Sequence, residues 1–239
     1  MMKPNFITDV NYAYKYSRFT VKRMYVNLEG MVDYQRLKQR VPSVSVIDQK
    51  ITQASQILSP YYQIYTTSIS PDDMAISLQL ASFIFAFCDT IKPKRILDLG
   101  SGFSSFVFRL YAKKQPAKVD IWSVDDDLKW LIKTRGFLAR YRLKPYHLVS
   151  WQAFKRQPLT QFDLILNDLD IIQTRIKTLV WVLKLLSPNG WLILDDMQIP
   201  MYESFVKPLA KEKNIEFFSL RRLTVDRYRR YSSFLCFHG

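Results

Sequence analysis

The chain is poor in cysteine, poor in glycine and without a long apolar run. Only Cys88 and Cys236 occur among 239 residues, with no CxxC pair and no Cys/His cluster. That excludes a disulfide framework and a structural zinc site, and it suits a reducing cytoplasm. The most apolar stretch, Met74 to Cys88, is shorter than the ~20 residues of a membrane span and is broken by Ser and Gln, so a buried helix is expected there. The opening MMKPNFITDV has no apolar core of signal-peptide length. A cytoplasmic protein without a membrane span is therefore expected. No internal repeat or low-complexity tract is visible.

What is present is the composition of a folded globular chain, 48% hydrophobic and 23% charged, which excludes disorder. Lys plus Arg number 35 against 21 Asp plus Glu, a net charge of +14. Such a surface suits an acidic partner: RNA, anionic lipid or a phosphorylated metabolite. The excess is spread. Residues 1–60 hold nine Lys/Arg against four acids, and residues 203–239 hold eight against four, a distribution that a solvated surface also produces.

The texture changes near residue 70. Residues 1–69 are polar, Tyr-rich and irregular, and short helices around Tyr34–Arg40 and Asp48–Leu58 are expected to form a cap. Ser70-Pro71-Asp72-Asp73 reads as a helix start running to about Thr90. Residues 70–239 then alternate. Apolar runs at KRILDLG, VDIWSV, YHLVS, FDLILND and WLILDD are separated by stretches of helical period, for example Phe103, Phe106, Val107, Leu110 and Tyr111. IEFFSLR and YSSFLCF close the chain as a hairpin at the sheet edge. The pattern predicts an α/β fold: a doubly wound, mostly parallel seven-stranded sheet, an antiparallel C-terminal hairpin and an N-terminal helical cap.

In such a sheet a ligand binds at the carboxyl ends of the strands. RILDLGSGFSS, residues 95–105, is the strongest local signal. Gly100 and Gly102 allow a tight turn and close approach, and the amides opening the next helix form a polar site. Asp125 stands 25 residues beyond Gly100, where an acid can accept both hydroxyls of a ribose. Asp98 before the first glycine suits a positively charged ligand. FDLILND and WLILDD place Asp168 and Asp195–Asp196 at the ends of neighbouring strands, close enough for their carboxylates to converge.

Through DLGSG, VDDDLKW, FDLILND and PNGWLILDDM, in this order over residues 70–239, the sequence resembles the class I, Rossmann-like S-adenosylmethionine-dependent methyltransferases. The final hairpin agrees. The resemblance implies that Asp98, Gly100, Ser101 and Gly102 border the methionine part of S-adenosylmethionine and that Asp125 holds the ribose. Asp126 and Leu128 would flank the adenine, with Trp151 or Gln152 at the base edge. Asp126 and Asp127 also read as the acidic start of a helix, and Trp151 as packing. Asp168 and Asp196 are similar in spacing to the acids that hold Mg²⁺ in the catechol O-methyltransferase branch, so they are the candidate catalytic and metal-binding pair. The pattern departs from that branch at Met197, where Asn would follow the second acid, and at Ile171, where a Lys would stand. His147 reads as a structural residue inside a strand.

No Asn-Pro-Pro-aromatic motif follows the fourth strand, which points away from amino groups of bases and toward an oxygen acceptor. The reading is thus an O-methyltransferase acting on a small-molecule or glycan-type acceptor, anionic in the light of the basic surface. Two alternatives remain at this point. One is an RNA methyltransferase or RNA-binding protein using Arg221, Arg222, Arg227, Arg229 and Arg230. The other is a non-catalytic scaffold of the same fold.

Overall fold

A computed structural model describes residues 6–158 and 160–237. Aliphatic runs become the strands β1 (Arg95–Leu99), β2 (Asp120–Asp125), β3 (Leu148–Ser150), β4 (Phe162–Asn167), β5 (Leu186–Leu194), β6 (Ile215–Ser219) and β7 (Ser233–Phe237). They form one sheet of order β3-β2-β1-β4-β5-β7-β6. The first five pair in parallel, and β7 runs antiparallel to both β5 and β6. This is the seven-stranded, doubly wound sheet that the sequence predicts.

The chain opens with helices α1 (Phe6–Arg40) and α2 (Ile47–Ser68), joined by a 3₁₀ turn at Pro42–Val46. The rest are α3 (Leu78–Ile91), α4 (Phe103–Lys114), α5 (Leu128–Arg140), α6 (Trp151–Phe154), α7 (Ile172–Leu183), α8 (Pro200–Glu212) and α9 (Arg221–Thr224). The sheet separates two cores. Leu164 and Leu166 of β4 face α2 to α5, while Ile165 between them faces α6 to α8, as the two-residue period of a strand requires. Phe87 of α3 meets Phe234 and Trp191 at ring-centroid distances of 4.7 and 5.5 Å. Each such fully buried ring adds roughly 1.5–3 kcal/mol. The Met74–Cys88 stretch is largely this buried helix. Among the described residues, no helix is long and apolar enough to cross a membrane.

The structure corrects two expectations. Residues before 60 form long helices rather than several short ones. Tyr34 of α1 bonds the Asp48 carboxylate of α2, and Asp33 accepts from the Ser219 amide at 2.7 Å, so α1 lies along the otherwise open edge at β6. Nor does a helix start at Ser70. The carbonyls of Asp72, Asp73 and Ala75 are drawn to the Arg230 guanidinium at 2.8–3.0 Å, which holds residues 71–76 as a loop. The helix begins at Leu78 instead, where the Ser77 hydroxyl accepts from Leu80 N–H at 3.0 Å.

Candidate active site

Chain order reverses between β1 and β4, so the loops after these strands diverge and leave a crevice at their carboxyl ends. The crevice is closely tied. Gly100 N–H donates to the Val124 carbonyl at 2.8 Å, and Asp168 N–H to the Leu99 carbonyl at 2.7 Å. Gly100 has φ of 98°, and a Cβ there would lie 2.4 Å from the Asp168 carbonyl oxygen. Both the left-handed backbone and the contact demand glycine. Here an open cavity of about 400 Å³ brings together the Gly100–Gly102 turn, Asp125–Asp127, Asp168 and Asp195–Asp196.

Asp98 is fully buried beneath this loop and does not line the cavity. Its Oδ2 accepts from the hydroxyls of Ser105 at 2.5 Å and Ser123 at 2.8 Å. Ser105 in turn accepts from Gly102 N–H at 3.2 Å, so Asp98 sets the glycine turn from below. Burial pushes the Asp98 carboxyl up to about 6, against the opposing serine hydroxyls. Its Oδ1 is buried without a partner.

Asp125 does reach the cavity. Oδ2 accepts from Ser101 N–H at 2.7 Å and the Ser101 hydroxyl at 2.9 Å, and Oδ1 from Asp127 N–H at 3.0 Å. All are neutral donors, and a carboxylate has about four lone-pair sites. Burial raises its pKa, with these hydrogen bonds opposing. Asp126 lines the same wall, and Asp127 caps α5 by accepting from Lys129 N–H at 2.8 Å. Leu128 is exposed on that helix. Trp151 and Gln152 are not among the lining residues. The Trp151 ring instead meets Trp181 of α7 edge-on at 5.4 Å.

At the other end, oxygens of Asp168, Asp195 and Asp196 lie within 4.8 Å of one another. A cation is already among them. Arg175, almost fully buried on α7, bonds Asp168 Oδ1 at 2.6 Å and Asp196 Oδ2 at 3.1 Å. The carbonyls of Leu169 and Asp170 take further N–H groups of the same guanidinium at 3.2 and 3.0 Å. Burial opposes the arginine charge, yet Asp168 and Asp196 hold its pKa above the ordinary value. A Mg²⁺ ion needs near-octahedral oxygen ligands, and two of the three carboxylates are committed to this guanidinium. The residues do not fit the metal that the resemblance implies for Asp168 and Asp196. Met197, fully buried, packs in the core, and Ile171 is exposed.

Asp195 is the third acid. Its Oδ1 accepts from the Ser232 hydroxyl at 2.8 Å, and among the described contacts it has no ion pair. Burial first, and the Asp196 charge second, push it up to about 6. Burial likewise raises Asp168, against the pull of Arg175.

Sequence reasoning missed Arg175, which sits among the apolar residues of an amphipathic helix. It also missed Trp130, whose Nε1–H donates to the Ser101 carbonyl at 2.5 Å; Tyr65 lies buried in the cavity wall with its phenol pushed up by burial. Nothing in the spacing of Arg175 or Trp130 marks either. His147 lies in the turn just before β3 rather than inside a strand, and stacks on Trp122 at 4.2 Å, away from the cavity. The arginines near the final hairpin mostly serve the fold. Arg221 donates to Asn27 at 2.8 Å, Arg222 lies over the Tyr34 ring, Arg227 pairs with Asp72, and Arg230 binds Asp226 at 2.7 Å.

No family model and no characterised protein sequence matches the chain. Solved structures do. The S-adenosylhomocysteine-bound methyltransferase PaMTH1 of Podospora anserina superposes with a TM-score of 0.56 at 17% identity, over 80% of this chain and 88% of that one. The O-methyltransferase TomG of Streptomyces achromogenes, solved with S-adenosylmethionine, gives 0.55 at 18%, over 80% and 90%. A Bacillus cereus O-methyltransferase with S-adenosylhomocysteine gives 0.52 at 16%, over 88% and 98%. The fold is that of the class I, Rossmann-like methyltransferases.

Proposed function

We propose that the protein is an S-adenosylmethionine-dependent methyltransferase that methylates an oxygen of a small-molecule or glycan-type acceptor without a divalent metal. The observation that carries this reading is the single cavity at the strand-order reversal. It joins a glycine turn after β1, a ribose-competent carboxylate at the end of β2 and a cluster of acids after β4 and β5. The fold shared with structures holding S-adenosylmethionine or its product supports it.

The residues fit the cofactor. Gly100 packs its backbone against the Asp168 carbonyl and so fixes the turn at the crevice, Asp125 retains acceptor capacity beside the turn, and the acidic lining favours a sulfonium ion and an α-amino group. When bound, S-adenosylmethionine supplies an electrophilic methyl, so the chain's own tasks are positioning and proton removal. Asp125 would take the ribose hydroxyls. Asp98 would hold the glycine turn through Ser105. Arg175 keeps Asp168 and Asp196 oriented, and Asp195, bonded to the Ser232 hydroxyl and pushed up by burial to about 6, would accept the proton of an acceptor hydroxyl. The lining sets eight Asp against Arg175 and Arg230, both engaged within the protein. An anionic acceptor would meet like charge here, so a neutral or cationic one is assigned in its place.

The test is release of S-adenosylhomocysteine on a panel of catechols, flavonoid-type phenols and sugars. Acceptor-dependent release with an acid limb near pH 6, reduced about 10²- to 10⁴-fold in Asp195→Asn, is expected. Cofactor binding with no turnover on any acceptor would leave the scaffold reading in its place.

A further inference from the structure

Helix α1 is apolar on two opposite faces, and only one of them has a partner among the described residues. Val26, Gly30, Asp33, Tyr34 and Leu37 are buried against the body of the molecule. A Cβ on Gly30 would come within 3.3 Å of the Arg221 side chain, and Asp33 is bonded to the Ser219 amide. The helix is thus fixed about its axis. On its far side Val21, Met24, Leu28 and Met31 are 65%, 67%, 60% and 56% exposed, and Tyr25 and Val32 beside them are more than half exposed. At ~100° per residue these six fall in an arc of about 120°, opposite the seated face.

The spacing 21, 24, 28, 31 alternates three and four residues, the a/d repeat with which two helices supercoil. In the sequence it continues toward the N-terminus through Tyr14, Val10 and Ile7, with Ser17 the one polar position. A single surface helix needs no such seam. We propose that α1 pairs with α1 of a second copy of this chain in a two-helix coiled coil, giving a symmetric dimer.

The occupant follows from three features. A symmetric dimer needs one self-complementary patch, and a seam of constant period provides it. Positions 25 and 32, which flank the seam, are uncharged, so two chains of net charge +14 approach there without facing like charges. The area also suffices. Six apolar side chains yield roughly 500 Å² per copy by transfer-energy scaling, near the ~1,000 Å² total of a specific interface.

Sedimentation velocity of the full chain at about 20 μM and 0.5 M NaCl tests this. The expected species has twice the 28.3 kDa chain mass. The Leu28→Asp/Met31→Asp variant should sediment at the single-chain mass, with self-association at least 100-fold weaker. Its circular dichroism should match the wild type, because neither side chain is buried in its own subunit, and its melting should lose only the concentration dependence that dimerisation gives the wild type. A charge-changing control at Lys155→Glu/Arg156→Glu should remain dimeric. A wild-type chain that stays monomeric to 100 μM, or a dimer that survives the double substitution, would overturn the proposal. So would a wild-type monomer that floats with phosphatidylglycerol vesicles, which would give the face to a lipid surface.

Discussion

The two ends of the cavity solve the same problem, a buried carboxylate, in opposite ways. Asp125 is held by two amides and a hydroxyl, neutral donors that leave its charge available to an incoming ligand. Asp168 and Asp196 share the full charge of Arg175. One end therefore keeps free acceptor capacity, while at the other two carboxylates are already paired with a guanidinium. A shared strand-end position does not by itself define a ligand. The group that compensates the carboxylate does.

The largest effect should come from removing the charge at the paired end. Arg175→Ala leaves three carboxylates together and is expected to cost about 3–5 kcal/mol, a fall in melting temperature on the order of 10 °C. Millimolar Mg²⁺ should restore part of it, while wild-type melting stays indifferent to Mg²⁺. Equal melting of the variant and the wild type would break the contrast. At the open end, Gly100→Ala combines a left-handed φ with a collision at Asp168. Loss of S-adenosylhomocysteine binding by calorimetry, with a lowered melting temperature, is the expected result.

Asp98 sharpens the comparison as a third case, a buried acid bonded by serine hydroxyls and compensated in part by the charge of the nearby Arg109. Its folded pKa, about 6, lies above the unfolded value of about 3.9. The folded state therefore holds the proton more tightly, and this stability is present below pH ~4 and lost as pH rises through ~6. Asp98→Asn should flatten that part of the wild-type stability curve by up to about 3 kcal/mol, measured by urea unfolding at pH 4, 5, 6 and 7. The smallest effect expected is from a chelator. EDTA should leave melting and cofactor binding unchanged.

The sheet was legible because most of its strands carry a short apolar run, and those nearest the crevice, RILDL, FDLILN and WLIL, are followed by Gly or Asp, a signal that survives without tertiary context. Gly100 and Asp125 were legible for a related reason, since a turn and an acid at fixed distance from strand ends need no partner to be recognised. What could not be read depends on contacts distant in sequence. Arg230 reshapes residues 71–76 from some 155 residues away, and Arg175 becomes part of the site only when α7 docks beside β4 and β5. The two apolar faces of α1 blur each other's period, which is why one long helix reads as fragments. The arginines near the hairpin suggest RNA in the sequence, yet Arg221, Arg222, Arg227 and Arg230 contact side chains of this same chain.

The claim that the open end is the cofactor site is tested most directly by titrating S-adenosylhomocysteine into the wild type and Asp125→Ala by calorimetry, each with and without Mg²⁺. Micromolar binding at one site per chain, about 100-fold weaker in the variant and indifferent to Mg²⁺, is predicted. No binding, or binding that the substitution leaves untouched, would contradict it.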